Sequence, residues 1–177
     1  MAQKTFDAGD AIDAHAAAKA RMPDQLTRSV VHATFHLQRT YDASPARVWK
    51  ALTDPSAKAQ WFGASSEPVE IIERAMDVRP GGRERLKGRW GGGVVSTYDA
   101  TYYDVIENER LVYCYEMYLD DRKISVSVAT MQLKPDGNRT QLLLTEQGAF
   151  LDGYDDAGSR ERGTNELLDL LGRALTA

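Results

Sequence analysis

Apolar and polar residues alternate with a period of two along most of the chain, and the alternation starts at Val30. In VVHATFHLQRTY the residues Val31, Ala33, Phe35, Leu37 and Tyr41 fall on one face, as a half-buried strand requires. Arg39 has the same parity and is expected to point inward. The pattern changes at DASPARVWKAL: Ser44 is placed to cap a helix, Pro45 takes its first position, and Val48, Trp49 and Leu52 follow at helical spacing. Asp54-Pro55 breaks that helix and predicts a second short one carrying Trp61-Phe62. Strand-like runs then succeed one another at Val69 to Val78, Arg83 to Trp90, Val95 to Ile106, Leu111 to Leu119, Ile124 to Leu133 and Gln141 to Gln147. PGG, GGG, ENER, DDRK and KPDGN separate them and are short enough for hairpins, so a meandering antiparallel sheet is expected. After DGYDDAG, the segment SRERGTNELLDLLGRAL sets Thr164, Leu167, Leu168, Leu171 and Leu175 along one stripe, with Arg160, Arg162, Glu166 and Asp169 mostly off it. One long C-terminal helix and a curved sheet make a two-layer α+β domain, with the helix across the concave face and room for a cavity between the layers.

Composition narrows the partners. With 177 residues and 42% hydrophobic content, the chain suffices for one domain with a real core. Residues 1–29 stand apart as an alanine-rich extension in which Ile12 is the sole large aliphatic before Met22. Helix propensity there is good and anchoring power poor, which leaves two readings: a loosely docked helix, or one packed on the domain or on a second subunit. Residues 30–177 form the domain proper. A net charge of −4 offers no excess of cations for a phosphate backbone, so nucleic acid is not an expected partner. Cys114 stands alone, which excludes an internal disulfide and a multi-cysteine metal site and suits a reducing cytoplasm. No apolar run approaches the roughly 20 residues that span a bilayer, so a soluble protein without membrane contact is expected. His15, His32 and His36 offer no metal-ligand pair, no glycine-rich phosphate loop precedes a helix, and no cofactor is called for.

The order of ASPARVWKALTDP, WFG, DVRPGGR, ENERLVY, LKPDGNRTQLLLTEQG and a C-terminal helix resembles the SRPBCC superfamily, the helix-grip or START-like fold. Within it the match is to the branch named after the C-terminal domain of the activator of Hsp90 ATPase, and it extends over roughly Val30 to Leu175. The resemblance implies a deep, largely apolar pocket under the C-terminal helix and little about chemistry, since its members include lipid carriers, polyketide cyclases and co-chaperone domains. Three functions follow as expectations: binding of a hydrophobic or amphipathic small molecule, a cyclase-like or hydrolase-like enzyme using a cavity carboxylate, and a co-chaperone-like interaction domain. A chaperone contact is the least expected of the three, because residues 1–29 are too short to supply an additional domain. A homodimer is left open.

The stretch DVRPGGRERLKGRW carries the most informative departure. Pro80 and Gly81-Gly82 make the turn, after which Arg83, Arg85, Lys87 and Arg89 share one face and Glu84, Leu86, Gly88 and Trp90 the other. The basic row is expected to be the solvated convex face. Glu84 then faces the cavity where the family usually has a large apolar or aromatic residue, and an ionised carboxylate there must be paired or strongly destabilised. Arg39 is the expected partner of Glu84 or of Glu146, the second inward carboxyl; alternatively Glu84 or Glu146 acts as a general acid or base on a bound ligand. Tyr113, Tyr115 and Met117 are expected to face inward, whereas parity does not decide for Tyr98 to Ile106, where a bulge would switch faces. Ser125 and Ser127 alternate with Ile124, Val126 and Val128 and are expected on the outer face. The candidate ligand-lining set is completed by Trp61, Phe150, Thr164, Leu167 and Leu171. Gly163, inside the final helix, is expected to mark a close approach to the sheet or to a ligand.

Overall fold

The computed structural model describes residues 28–63 and 69–176. The N-terminal extension lies outside these residues except for Arg28 and Ser29, both of which bond to Asp152 at 2.8 Å. Strand β1 (Val30–Tyr41) leads into helix α1 (Pro45–Thr53) and the single turn α2 (Pro55–Lys58). The chain then runs through β2 (Val69–Met76), β3 (Arg83–Trp90), β4 (Val95–Ile106), β5 (Arg110–Leu119), β6 (Arg122–Asp136) and β7 (Arg139–Leu151) before helix α3 (Ala157–Thr176). The seven strands form one curved antiparallel sheet in the order β1-β7-β6-β5-β4-β3-β2. This is the two-layer arrangement expected from the alternation and the hairpin signals, and the helix-grip fold that the resemblance implies.

Local chemistry sets the element ends. Ser44 caps α1, its hydroxyl accepting from the Arg47 N–H, and Pro45 supplies the first helical φ. Asp54 closes α1 and caps α2, accepting from the Ala57 N–H at 2.8 Å. One residue therefore serves two helices, which explains the abrupt turn between them. On β1 the inward set is Phe35, Leu37 and Tyr41, with Val31 exposed at the strand's open end.

Helix α3 is held unevenly. Its backbone lies close to β1 and α1. Leu168, Leu171 and Leu175 are buried there in one cluster with Leu37, Tyr41, Val48, Leu52, Leu133 and Leu142. Tyr41 Oη donates to the Leu168 carbonyl at 2.8 Å, and a Cβ at Gly172 would stand 3.2 Å from the Tyr41 ring. The close approach expected at Gly163 is thus found at Gly172. Around Gly163 itself no atom lies within 4 Å of where a Cβ would sit.

Two bulges decide which side chains face the helix. Between Tyr102 and Asp104 the β4–β5 register shifts, so Tyr103 is extruded to the outer face while Tyr98, Ala100 and Tyr102 point inward. A second shift pairs Met117 with Ser125 and Tyr118 with Lys123, leaving Ile124 as the extra residue. Ser125 and Ser127 lie on the Ala129 side of that shift, in step with Ala129 and Leu133, and are buried on the inner face, with Val126 and Val128 exposed, contrary to expectation. The parity of β6 is set from its other end, by Ala129 and Leu133. The basic row of β3 behaves as expected: Arg83 and Arg85 pair with Asp99 at 2.8 Å, and Arg85 also with Glu73 at 3.0 Å.

Because Gly163 occupies a helix interior with free space around it, Gly163→Ala is expected to stabilise the fold by about 1 kcal/mol. Thermal unfolding of the two proteins measures this, and an unchanged or lower Tm would show that the space is needed.

Candidate functional site

The inner face beside the front half of α3 is lined by rings. Trp61 is anchored by its Nε1 donating to the Ala51 carbonyl at 2.9 Å, and it meets Phe62 edge-on at 5.7 Å between centroids. From Phe62 the contacts continue to Tyr98 (5.1 Å), Tyr115 (5.1 Å), Tyr113 (6.1 Å) and Tyr102 (5.8 Å). These tilted and edge-on contacts are the preferred geometry for aromatic quadrupoles. The turn that delivers Phe62 depends on Gly63, which has φ +80° and lies against the Leu86 methyls, and on Arg74, which donates to the Phe62 carbonyl at 2.8 Å. A side chain at Gly63 would collide with Leu86. Phe62, Leu86, Tyr98, Met117 and Leu167 are only half buried, in contrast to the core beneath the back half of α3.

The strands that flank these rings, β3 at one end and β6–β7 at the other, carry polar groups. At one end Lys58 Nζ meets Glu84 Oε2 at 2.6 Å, and Tyr102 Oη donates to the same oxygen while standing 3.5 Å from Lys58 Nζ. Glu84 is 4% exposed, so its charge is balanced inside the protein. At the other end Arg160, from the first turns of α3, donates to Tyr115 Oη at 2.8 Å and to Ser125 Oγ at 2.7 Å, and forms an ion pair with Asp155. Tyr115 in turn donates to Glu146, whose Oε1 lies 3.6 Å from Arg160. Ser127, paired across the strands with both Tyr115 and Gly148, is buried with its hydroxyl beside the Tyr115 hydroxyl and the Glu146 carboxyl.

Protonation states follow from burial. Desolvation pushes Tyr98, Tyr102, Tyr113 and Tyr115 above the ordinary phenol range, so all four are neutral hydroxyls at physiological pH. They serve as hydrogen-bond groups and not as phenolate bases. Burial also raises Glu146 above the usual carboxylate range, against the opposing pull of Arg160 and the Tyr115 hydroxyl. For Arg160 burial acts to lower the pKa, but Tyr115, Asp155 and Glu146 outweigh it and keep the guanidinium charged.

Residues 42–176 match the family described as Activator of Hsp90 ATPase homolog 1-like protein. The chain belongs to that family. It is similar, at 40% identity and a TM-score of 0.81, to an uncharacterised protein of Rhizobium leguminosarum, over 85% of this chain and 98% of that one. The protein Mll3558 of Rhizobium loti is 38% identical over 82% of this chain and 99% of its own, with a TM-score of 0.76. DynU16, a protein of the dynemicin biosynthetic locus, shares the fold at 18% identity and a TM-score of 0.58, over 81% of this chain and 47% of that one. No protein of curated function matches the chain.

In this Hsp90-activator-like protein the inner face beside the front half of α3 is rich in tyrosine and flanked by two ion pairs. Arg39 is a correction: its Nε bonds to Asp169 at 3.0 Å and its Nη2 to Asn165 at 2.8 Å, both on α3, so it staples the helix to β1 and meets neither Glu84 nor Glu146. Tyr113, Tyr115, Met117, Leu86, Glu84, Glu146 and Trp61 fall on the inner face as expected. Phe150 is buried under Arg160, whose guanidinium stands 5.8 Å from its ring. Thr164 bonds back to the Arg160 carbonyl at 2.9 Å, and Leu167 lies half-buried next to the fully buried core residue Leu171. Trp90 ends β3 at the hairpin, its Nε1 donating to Ser96 Oγ at 2.8 Å, outside the row of rings. Two surface hollows, of about 420 and 450 Å³, lie away from the groove, one bordered by Trp49, Met76 and Val105, the other by Pro45, Arg110 and Pro135.

Lys58 and Arg160 were not anticipated. Lys58 stands three and four residues before Trp61 and Phe62, the spacing that puts it on their side of the chain. Removing its ammonium strands a buried carboxylate, so Lys58→Met is expected to cost about 3–5 kcal/mol. Adding Glu84→Gln should restore most of that loss. Denaturant unfolding of the single and double variants measures the coupling, and additive effects would show that the pair is not coupled.

Proposed function

We propose that the protein binds an amphipathic, ring-bearing small molecule in the groove between the front half of α3 and strands β3 to β5. The supporting observation is the row of five touching rings from Phe62 to Tyr102, in which Phe62 and Tyr98 stay half-covered beside Leu86, Met117 and Leu167 while Tyr102, Tyr113 and Tyr115 are buried beneath. Aromatic surface with a few fixed polar groups is the usual lining of a small-molecule site. The family and the shared fold with DynU16 are compatible with this reading. A co-chaperone role has the family's description behind it and no feature of this groove.

A second reading rests on Glu146. A buried carboxyl with a raised pKa, hydrogen-bonded to a tyrosine at the end of a groove, has the attributes of a general acid or base. It would act on a ligand carbonyl, with Tyr115 and Arg160 steadying developing negative charge.

Native mass spectrometry of the purified protein, before and after gentle organic extraction, tests the binding reading: a small molecule lost on extraction is expected. An empty protein that also fails to take up naphthalene-type probes would overturn it. Tyr98 supplies ring contact without an ion pair, so Tyr98→Ala is expected to weaken an aromatic probe about fivefold, from a contact of about 1 kcal/mol. An unchanged Kd would remove the row of rings from the site.

The raised pKa of Glu146 fixes a sign for stability. The folded state holds this proton more tightly than the unfolded state, so the contribution is full below the unfolded carboxylate range and is lost as pH rises through the folded pKa. Glu146→Gln should flatten that part of the stability-versus-pH profile relative to wild type. Parallel profiles for the two proteins would refute the raised pKa.

A further inference from the structure

The convex face of the sheet is divided by charge. Across β2 to β4 it is laced with ion pairs, Arg83 and Arg85 on Asp99 at 2.8 Å and Arg89 on Glu70 at 3.5 Å. Across β1, β7 and β6 the outward positions of residues 30–40, 141–151 and 126–132 hold no Asp, Glu, Lys or Arg. The β1–β7–β6 register is unbroken over these positions, so they lie on one face. In a chain that is 27% charged, such a strip is not what a solvated sheet face ordinarily carries. Valine, threonine, glutamine, alanine, leucine and histidine stand there instead, and Val30, Val126 and Val128 are exposed.

The chain itself supplies a cover. Residues 1–27 lead to the margin of this face: Arg28 and Ser29, directly before Val30, bond to Asp152 in the turn that follows β7. The sequence of that extension sets Ala8, Ala11, Ile12, His15, Ala18 and Met22 at the spacing of one helical stripe. Asp7, Asp10, Asp13 and Arg21 fall on the opposite side, and Lys19 at the border of the stripe. The segment 24–28 after Pro23 spans up to about 17 Å, enough to turn the chain back over the sheet. A helix over residues 8–22 is about 22 Å long and about 10–12 Å across, and three strands about 4.8 Å apart offer a strip of matching width and greater length. A second copy fits less well, because the strip measures roughly 500 Å², short of the about 800 Å² that each partner in a standard interface buries. We propose that residues 8–22 dock as a helix on the uncharged outer face of β6, β7 and β1, with the stripe from Ile12 to Met22 against Val126, Val128 and Ala149. A short alanine-rich helix does not hold alone in water, and the sheet is what holds this one. The sheet is then covered by α3 on one face and by the extension on the other, while its charged half stays solvated.

Cross-linking within the full chain tests the docking. In a Cys114→Ser background, Ala16→Cys places one thiol at the flank of the stripe and Thr34→Cys places the other on the outer face of β1. A short bis-maleimide at dilute protein should join positions 16 and 34 within one chain. Ile12→Asp, which alters no residue of the domain, should slow that reaction about tenfold, since docking raises the concentration of one thiol at the other. Asp13→Ala, on the charged side of the same helix, should leave the rate unchanged. A rate that Ile12→Asp does not lower, or that both substitutions lower alike, overturns the docking, as does the absence of any link. A linked product of twice the chain's mass shows a second copy on the face and overturns it too.

Discussion

The apolar seam between the back half of α3 and the β1–α1 corner is the constraint from which the rest follows. Leu168, Leu171 and Leu175 are buried against it, Tyr41 reaches up to the Leu168 carbonyl, and Gly172 lets the two surfaces close. Arg39 adds a polar staple through Asp169 and Asn165. Seated there, the helix crosses the sheet with its front half standing off β3 to β5. From that half Arg160 reaches Tyr115 and Ser125 on the sheet. Tyr98 and Phe62, half-covered below, lie beyond the reach of those leucines.

The two ion pairs answer the same physical problem in different ways. Glu84 is neutralised by a cation from α2, a distant segment brought over it by the shared Asp54 cap. Glu146 has a cation nearby, but that cation is already shared with Asp155, so burial prevails and the carboxyl tends toward its neutral form. Two inward carboxylates of similar parity thus have different chemistry. The difference lies in the competition for Arg160, which no feature of β3 or β7 alone expresses.

Much of the architecture was legible in the chain because alternation, turn residues and the final amphipathic stripe all pointed to one fold. Glu84 could be placed on the inner face because Leu86 fixes its parity. Its partner could not, because Arg39 and Lys58 are both inward cations and only the path of the chain after Asp54 decides between them. Ser125 and Ser127 were misread because the β-branched residues Ile124, Val126 and Val128 suggested a buried face, whereas the strand keeps the parity of Ala129 and Leu133 through to Ser125. For β4, the mixed pattern itself was the sign of the bulge at Tyr103. Arg160 lies off the leucine stripe, and nothing in the sequence says that the helix is held away from the sheet where it sits.

The division of α3 into a packed half and a bridging half separates two demands that usually compete. Folding rests on the leucines near the C-terminus, while none of the residues from Asp155 to Leu167 is fully buried and they face the rings of the sheet. Substitutions in the front half can therefore accumulate without threatening the core. A domain built this way can change the chemistry of that face through a handful of replacements, so the scaffold is evolvable for reasons visible in the packing of a single helix.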